Sequence, residues 1–390
     1  MSQGKINSIV VCSSGYPTQT DPVAPFVEQI VNAFSQRGIS VTVVAPQSIV
    51  KHWLRGAELH PKVRTYTYHG GHPITVYQPY VLSFGGRFER LNSILRDRSV
   101  YHTLKKYKIK PDVCYGHFWH HAYSILRFAQ KNTIPLIAVT GEAKISCHKL
   151  KTAAELRAFT NYLSGVICVS SKNRDESIRD GLLPDVNKSI VIPNAIDNTL
   201  FHIMDKQILR KNHGIREDDF VVAFTGWYDH NKGVKRVSDA IQMIGDISIK
   251  SLFIGDVRDG DGITPDCEGI LHKGRLPHDQ ITEYLNMADV FVLPTLSEGC
   301  NNAIIEAMAC GLPIISSNLP FNWDVLNDNN SIMVDPMNVK EIAAAIKTLK
   351  ENKQRRELMS KAALETAAEL TIDKRVDKIL NFIKSKLKAF

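Results

Sequence analysis

"DVFVLPTLSEGCNNAIIEAMACGLPIIS", residues 289–316, carries the pattern of an α/β unit. Its apolar start, 289–294, predicts a buried strand, and the small polar residues of "TLSEGCNN" predict a loop. A short helix follows, with Asn301 or Asn302 placed to cap it and Gly311 placed to end it. Pro313 then opens a second apolar strand, so the unit is strand–loop–helix–strand. In open α/β sheets, ligands sit outside the carboxyl ends of the strands, where loops enter helices. The loop residues Gly299, Cys300, Asn301, Asn302 and Ala303 therefore form a candidate cradle. Gly299 permits close backbone approach, and free helix N-terminal N–H groups are expected around Ala303 and Ile304. Such groups suit an anion of the diphosphate kind. Two carboxylates, Glu298 and Glu306, flank the cradle. A carboxylate repels phosphate, so hydroxyls of a ribose or a hexose are their expected targets.

Two Glu separated by seven residues, within "SEG…N…IIEAMACGLPII", resemble the signature of the family 4 retaining glycosyltransferases, which have the GT-B fold. The resemblance implies that Glu298 contacts a donor sugar and that Glu306 holds the ribose of its nucleotide. The "EG-x-x-N" variant is similar to the branch that builds bacterial surface polysaccharides. An ordinary βαβ turn with two solvated Glu is the alternative reading of the same residues.

At 390 residues the chain is long enough for two domains, each with its own core. No apolar run is long enough to span a bilayer, and the N-terminus lacks the basic-then-apolar pattern of a signal peptide. The seven cysteines are scattered, without CxxC spacing, and several end apolar strands (Cys12, Cys114, Cys168). They read as buried reduced thiols of a cytosolic protein. The net charge of +8 is unevenly spread: residues 1–192 hold 24 Lys and Arg against 12 Asp and Glu, and residues 193–390 hold 24 against 28. The first half is thus expected to face something anionic, or else to carry a merely solvated basic face.

"INSIVVCSSGYP" (6–17) predicts a first strand, and its loop puts Gly15 and Tyr16 on the expected acceptor side. A helix over about 23–37 leads to the strand "ISVTVVAP". GxGxxG is missing, so no dinucleotide fingerprint is present. Where the family usually carries a Gly-Gly pair, this chain has "DPVAPFVEQ" (21–29). In the basic stretch 86–109, Phe88, Leu91, Ile94 and Leu95 form an apolar stripe, and Arg87, Arg90, Arg96 and Arg98 supply charge. Residues 111–143 alternate strand, helix and strand. His117 matches a His-containing strand end of the family, and Glu142 stands where the family often has a His near the reacting centre. "SIVIPNAIDNTLF" (189–201) resembles the interdomain segment, which puts the boundary at about residue 192.

In the second half, "FVVAFTGWYDHNKGVKRVSDAI" (220–241) carries Gly226, then Trp227 in the place of the family's usual diphosphate Arg. Lys232 and Gly233 stand at a helix start, where ammonium and helix dipole both favour phosphate. Arg236 and Arg275 are the candidates to replace the missing Arg, with Trp227 read as a packing or stacking residue. Gly255 ends the strand "SLFIGDV". The strand ending at Lys273 and Gly274 is implied by the resemblance to present backbone to the nucleotide base. Asp259, Asp261, Gly262 and Glu268 mimic part of an EF-hand loop, but Val257 stands at its first position and strands flank it. The same Asp259–Gly260–Asp261 triplet is a weak DxD mimic. The final helix, 372–388, has six basic residues and is expected to cross back onto the first domain.

The expectation is an α/β, GT-B chain with two Rossmann-like domains facing across a cleft. Residues 1–192 would bind acceptor, 193–370 the nucleotide sugar, and 371–390 would return to the first domain. The expected reaction moves a hexose from a nucleotide diphosphate sugar, UDP-sugar favoured, to an acceptor hydroxyl with retention. Glu298, Lys232, Glu142 and His117 are the expected catalytic residues. No metal and no cofactor beyond the donor substrate is expected. The expected partners are the nucleotide sugar, a lipid-linked or oligosaccharide acceptor, and an anionic membrane surface, but no nucleic acid. Its expected place is the cytoplasm, peripheral at the inner face of the membrane. The rival readings are a catalytically silent GT-B module and a sugar phosphorylase on the same fold.

Overall fold

The computed structural model describes residues 6–18, 23–84, 86–257 and 262–388. The chain divides into two compact units, one made of the residues through Ile192 together with those from Arg375 on, the other of Pro193–Lys374.

Among the described residues the main sheet of the first unit has eight strands: β1 (Ser8–Cys12), β2 (Ser40–Val44), β3 (Val63–Tyr66), β4 (Ile74–Tyr77), β5 (Val113–His117), β6 (Leu136–Thr140), β7 (Gly165–Cys168) and β8 (Ser189–Val191). Their order is β8-β7-β6-β5-β1-β2-β4-β3. β1 lies between β2 (Ser8 opposite Ser40) and β5 (Ile9 opposite Val113), parallel to both. Only the edge strand β3 runs antiparallel. Apolar runs such as "SIVVC" suit strands covered on both faces, which is what a parallel sheet demands. The thiols of Cys12, Cys114 and Cys168 are free and buried, and burial pushes that of Cys12 up to about 12. From Arg375 on, the last helix (Ile372–Leu387) packs Val376, Ile379 and Ile383 inward. Its Phe382 ring lies where a Cβ on Gly165 would come within 2.8 Å, and Asp377 pairs with Arg37 at 2.8 Å.

The helix Glu89–Lys106 is oriented unlike a seam helix. It buries Ser93, Val100, Tyr101, Thr103 and Leu104, while Phe88, Leu91 and Ile94 of the apolar stripe are exposed. The reason is a polar inner face. Arg96 donates to Ser124 Oγ (3.0 Å), Ser124 to Asp97 (2.6 Å), and Lys151 Nζ to Asp97 (3.1 Å). These groups satisfy one another indoors, so the stripe turns out.

The second unit holds six strands: β9 (Phe220–Thr225), β10 (Ile249–Ile254), β11 (Ile270–Gly274), β12 (Val290–Leu293), β13 (Ile314–Ser317) and β14 (Ser331–Val334). All are parallel, in the order β11-β10-β9-β12-β13-β14. At their carboxyl ends the backbone is crowded. A Cβ on Gly255 (φ +157) would lie 1.9 Å from the Gly226 carbonyl oxygen, so only glycine fits there. The Asp259–Gly260–Asp261 triplet lies outside the described residues. Among the described residues no helix is long and apolar enough to cross a membrane.

Candidate active site

The loop after β12 enters the helix Asn302–Ala309 with Asn301 as its cap: Asn301 Oδ1 accepts the Ala303 N–H at 3.0 Å. The Ala303 N–H is therefore taken, contrary to the sequence expectation of an open donor. Asn302 Oδ1 and the Cys300 carbonyl both accept from Asn194 Nδ2, at 2.8 and 3.1 Å. Gly299 and Cys300 of this loop are buried. Asn301 is buried as well, and its Nδ2 has no hydrogen-bond partner. A buried, unpaired donor is costly, about 1–3 kcal/mol, and calls for an explanation.

A second loop brings Lys232 to this one. Asp229 Oδ1 accepts the Lys232 N–H at 2.7 Å, and Gly233 (φ +80) caps the helix Val234–Ile244. Asn231 stitches the loops together, its carbonyl accepting the Leu296 N–H (2.9 Å) and its Nδ2 donating to Ser297 O (3.2 Å). Lys232 Nζ thereby pairs with Glu298 Oε1, which also accepts from Thr295 Oγ1 at 3.2 Å. Both side chains are largely covered.

Of the two candidate arginines, Arg236 is buried behind the loops and donates to His230 O (2.9 Å) and Pro294 O (2.8 Å). It braces the backbone, and its expected diphosphate role is corrected accordingly. Arg275 is exposed, its guanidinium 5.4 Å from the centroid of the Trp227 ring and its Nε 3.8 Å from Asp256. Trp227, itself partly exposed, is thus a stacking platform. Gly274 is another correction: its N–H goes to Tyr228 Oη (3.1 Å) and its C=O accepts from Gly255 (2.9 Å), so neither is open to a base. Lys273 is exposed beside it. Glu306, one turn into its helix, meets His278 Nε2 at 3.4 Å. That carboxylate raises the imidazole pKa above its usual value, and the Phe201 ring stands 5.2 Å from the imidazole. No sequence signal marks His278 or Asp229, and Asn194 reads only as a turn cap.

The strand ends of the first unit tell a different story. Phe118 follows β5 with φ 75° and ψ 154°. A non-glycine residue there stores about 1–3 kcal/mol. Glu142 holds the adjoining backbone. It accepts from Trp119 N (2.9 Å), Thr140 Oγ1 (2.8 Å) and Gly141 N (2.9 Å), which start the helix Trp119–Asn132 and fix the β6 exit. Burial raises its pKa against the pull of these bonds. Its carboxylate is a brace, which corrects the expected catalytic part. His117 is 4% exposed, packed against Phe26 (5.2 Å) and Phe118 (4.7 Å). Burial, with Arg375 nearby, lowers its pKa to about 3, so the ring is neutral and enclosed rather than an open base. Tyr16 is fully buried too, its Oη 2.5 Å from Tyr66 Oη, with Tyr66 donating to Asn32 at 2.9 Å. Its side chain serves the fold; beside it Gly15 is only partly covered.

Comparison with known proteins identifies the family and the fold. Residues 205–366 match the family model described as Glycosyl transferases group 1, and residues 23–200 the one described as Glycosyltransferase Family 4. The chain is 26% identical over 353 residues to the putative teichuronic acid biosynthesis glycosyltransferase TuaC of Bacillus subtilis, covering 87% of this chain and 88% of that one. It is 27% identical over 235 residues to the capsular polysaccharide biosynthesis glycosyltransferase CapM of Staphylococcus aureus, covering 54% and 60%. Among solved structures, the sucrose-phosphate synthase of Thermosynechococcus elongatus superposes with a TM-score of 0.75 at 16% identity, over 98% of this chain and 100% of that one. Anabaena Alr3699/HepE in complex with UDP gives 0.71 at 17% identity, over 97% and 100%. These likenesses establish the fold as GT-B.

Proposed function

We propose a donor, an acceptor and a mechanism for a chain that belongs to the group 1 glycosyltransferases of family 4 and has their GT-B fold. It moves a hexose from a UDP-sugar to a hydroxyl of a lipid-linked glycan in surface polysaccharide synthesis, with retention at the anomeric carbon. The observation that carries this reading is the Lys232–Glu298 pair at the carboxyl edge of the second sheet, one helical turn from Glu306. On donor arrival the Lys232 ammonium turns from Glu298 to the diphosphate, and Glu298 is released to accept from a sugar hydroxyl. Glu306 accepts from the ribose hydroxyls. Arg275, presented by Trp227, is the second cation. The UDP-bound relative supports uridine diphosphate as the nucleotide.

The step is a front-face displacement. The bond from the anomeric carbon to the diphosphate oxygen breaks as the acceptor oxygen bonds to that carbon on the same face. The acceptor proton passes to the departing phosphate oxygen. No enzymic nucleophile or base is required, in keeping with an enclosed His117 and a fully engaged Glu142. Charge growing on the leaving group meets cations that donor binding has already drawn to the diphosphate, an electrostatic stabilisation. Lys232 and Arg275 supply that charge without a divalent metal, so turnover is expected to survive a chelator.

A lipid-linked acceptor is supported by the outward stripe of the first unit. Trp53 and Leu54 are 65% and 78% exposed, and Phe84, Phe88, Leu91 and Ile94 are also exposed. Arg87, Arg90 and Arg98 are exposed among them, whereas Arg96 is turned inward onto Ser124. Aromatic and aliphatic side chains mixed with cations suit the boundary of an anionic membrane, each cation adding about 1 kcal/mol. The chain would thus work peripherally at the cytoplasmic face.

The test is UDP release from UDP-sugars, with and without a lipid-diphosphate-linked sugar. Release that rises with acceptor and resists chelation is expected. A reaction driven by inorganic phosphate would make it a phosphorylase, and binding without turnover a silent module.

A further inference from the structure

The second unit has another polar site, at the opposite edge of its sheet from Lys232 and Glu298. Two neighbouring cavities, of about 470 and 820 Å³, share Lys206 and Lys353 in their walls. The smaller lies where Ala288 and Asp289 lead into β12 and where Leu312 and Pro313 lead into β13, the amino-terminal edge of the strands. One face of the helix Lys353–Ala368 closes it, with Arg356, Ser360, Lys361 and Leu364.

The charge here runs against that of its surroundings. Residues 193–374 carry 19 Lys and Arg against 27 Asp and Glu. The two cavities together are lined by seven Lys and Arg and by three acidic residues, Glu217, Asp289 and Glu357. Asp289 offsets only one of its two cationic neighbours. It accepts from Lys206 Nζ (2.6 Å), Arg210 Nη2 (2.6 Å) and Val221 N (2.7 Å), so two cations answer one carboxylate and a positive charge is left over. The Lys206 side chain is 39% exposed, and its partial burial lowers its pKa despite Asp289. Glu357 stands 3.8 Å from Lys353, and Lys361 has no ion-pair partner among the described residues. Arg356 is anchored by donating to Lys350 O at 2.9 Å, with its guanidinium 5.4 Å from the Phe220 ring centroid. The floor is apolar, made by Ile203, Leu312, Pro313 and Leu364. An apolar floor under a few convergent charges, in a volume of several hundred Å³, is the usual form of a small-molecule site.

We propose that this rear cavity binds a phosphate-bearing small molecule of sugar-phosphate to nucleotide size, as a second site distinct from the donor site. The phosphate lies among Lys353, Lys361 and the surplus charge at Lys206, and the remainder of the ligand covers Leu312 and Leu364. Neutral sugars lack the group that these cations recognise. The proposal does not depend on the donor assignment, because no residue is shared between the two edges.

Isothermal titration of the full chain with inorganic pyrophosphate and with glucose 6-phosphate tests this, in buffer of physiological ionic strength. The chain, its Lys232→Ala variant and a Lys353→Glu/Lys361→Glu variant are compared, with glucose as the neutral control. Saturable binding that persists in Lys232→Ala and weakens at least ten-fold in the double variant is expected. UDP release from a UDP-sugar by the double variant should stay within two-fold of the parent, and an unchanged Tm shows that it has folded. A signal abolished by Lys232→Ala alone would assign all the binding to the donor site and overturn the proposal. So would binding indifferent to Lys353 and Lys361, or binding that does not saturate. Glucose 6-phosphate without pyrophosphate binding selects the sugar phosphate as the ligand, and the converse selects a bare oligophosphate.

Discussion

The carboxyl ends of the two sheets use the same kinds of residue for different ends. In the second unit, Lys232, Glu298 and Glu306 stand at loop mouths, and Asn301 keeps a buried Nδ2 without a partner. In the first unit, Glu142 spends both oxygens on three donors, and Tyr16 is locked to Tyr66. A polar residue at a strand end is free for a ligand only if the fold has not already satisfied it. The difference is energetic. A carboxylate with three protein donors gains little from a hydroxyl that displaces one of them, whereas an ion pair at a loop mouth is exchanged readily for a diphosphate.

The sharpest test of this contrast is Lys232→Ala. Loss of one preorganised charge at the leaving group is expected to cost about 10²–10³ in kcat, read as UDP release. A loss under five-fold would move the phosphate cation elsewhere, with Arg275→Ala as the variant to try next.

Glu306→Ala comes next. A charge-assisted hydrogen bond is worth roughly 1.5–3 kcal/mol, so UDP affinity is expected to fall about ten-fold or more by calorimetry. Glu298→Ala should spare UDP affinity and cut turnover. Equal loss of both properties in each variant would show that the two carboxylates are not divided between sugar and ribose.

Glu142→Ala probes the other region. It strips three donors of their acceptor, so a stability loss of about 2–3 kcal/mol is expected in denaturant titration. The folded fraction should keep most of its UDP affinity. An unchanged midpoint with abolished turnover would make Glu142 a reacting group and break the contrast.

The smallest effect concerns His278. Its pKa is raised chiefly by the hydrogen bond to Glu306, so the folded state holds this proton more tightly than the unfolded chain. The stabilisation is fully present below the unfolded imidazole value and is lost as pH rises through the raised one. The imidazole is more than half exposed, so solvent screening keeps the effect slight. Tm is expected to be marginally higher near pH 6 than near pH 8, and His278→Gln should remove the difference. A pH dependence identical in parent and variant would exclude this pair.

Much of the architecture was written locally. The apolar run of 289–294, a cap at Asn301 or Asn302 and the stop at Gly311 are short-range signals; strand and turn emerge where they predict, and the structure selects Asn301 as the cap. The family signature in the same stretch was legible for a related reason. Glu298 and Glu306 are fixed relative to each other by one loop and one helical turn.

The residues of 289–316 taken alone thus fix the strand, the capped helix and the following strand of that stretch. Which polar groups meet was left to the tertiary structure. Lys232 and Glu298 lie 66 residues apart, and only the parallel order that sets β9 beside β12 brings their loops together. Arg236 and Arg275 look equivalent as text, but one faces the Pro294 carbonyl and the other faces Trp227 and solvent. The stripe from Phe88 to Ile94 likewise has a helical period whichever way it turns, and it turns outward because Arg96 and Asp97 find partners inside. Periodicity states that a helix has two faces. The packing of distant segments decides which one is buried.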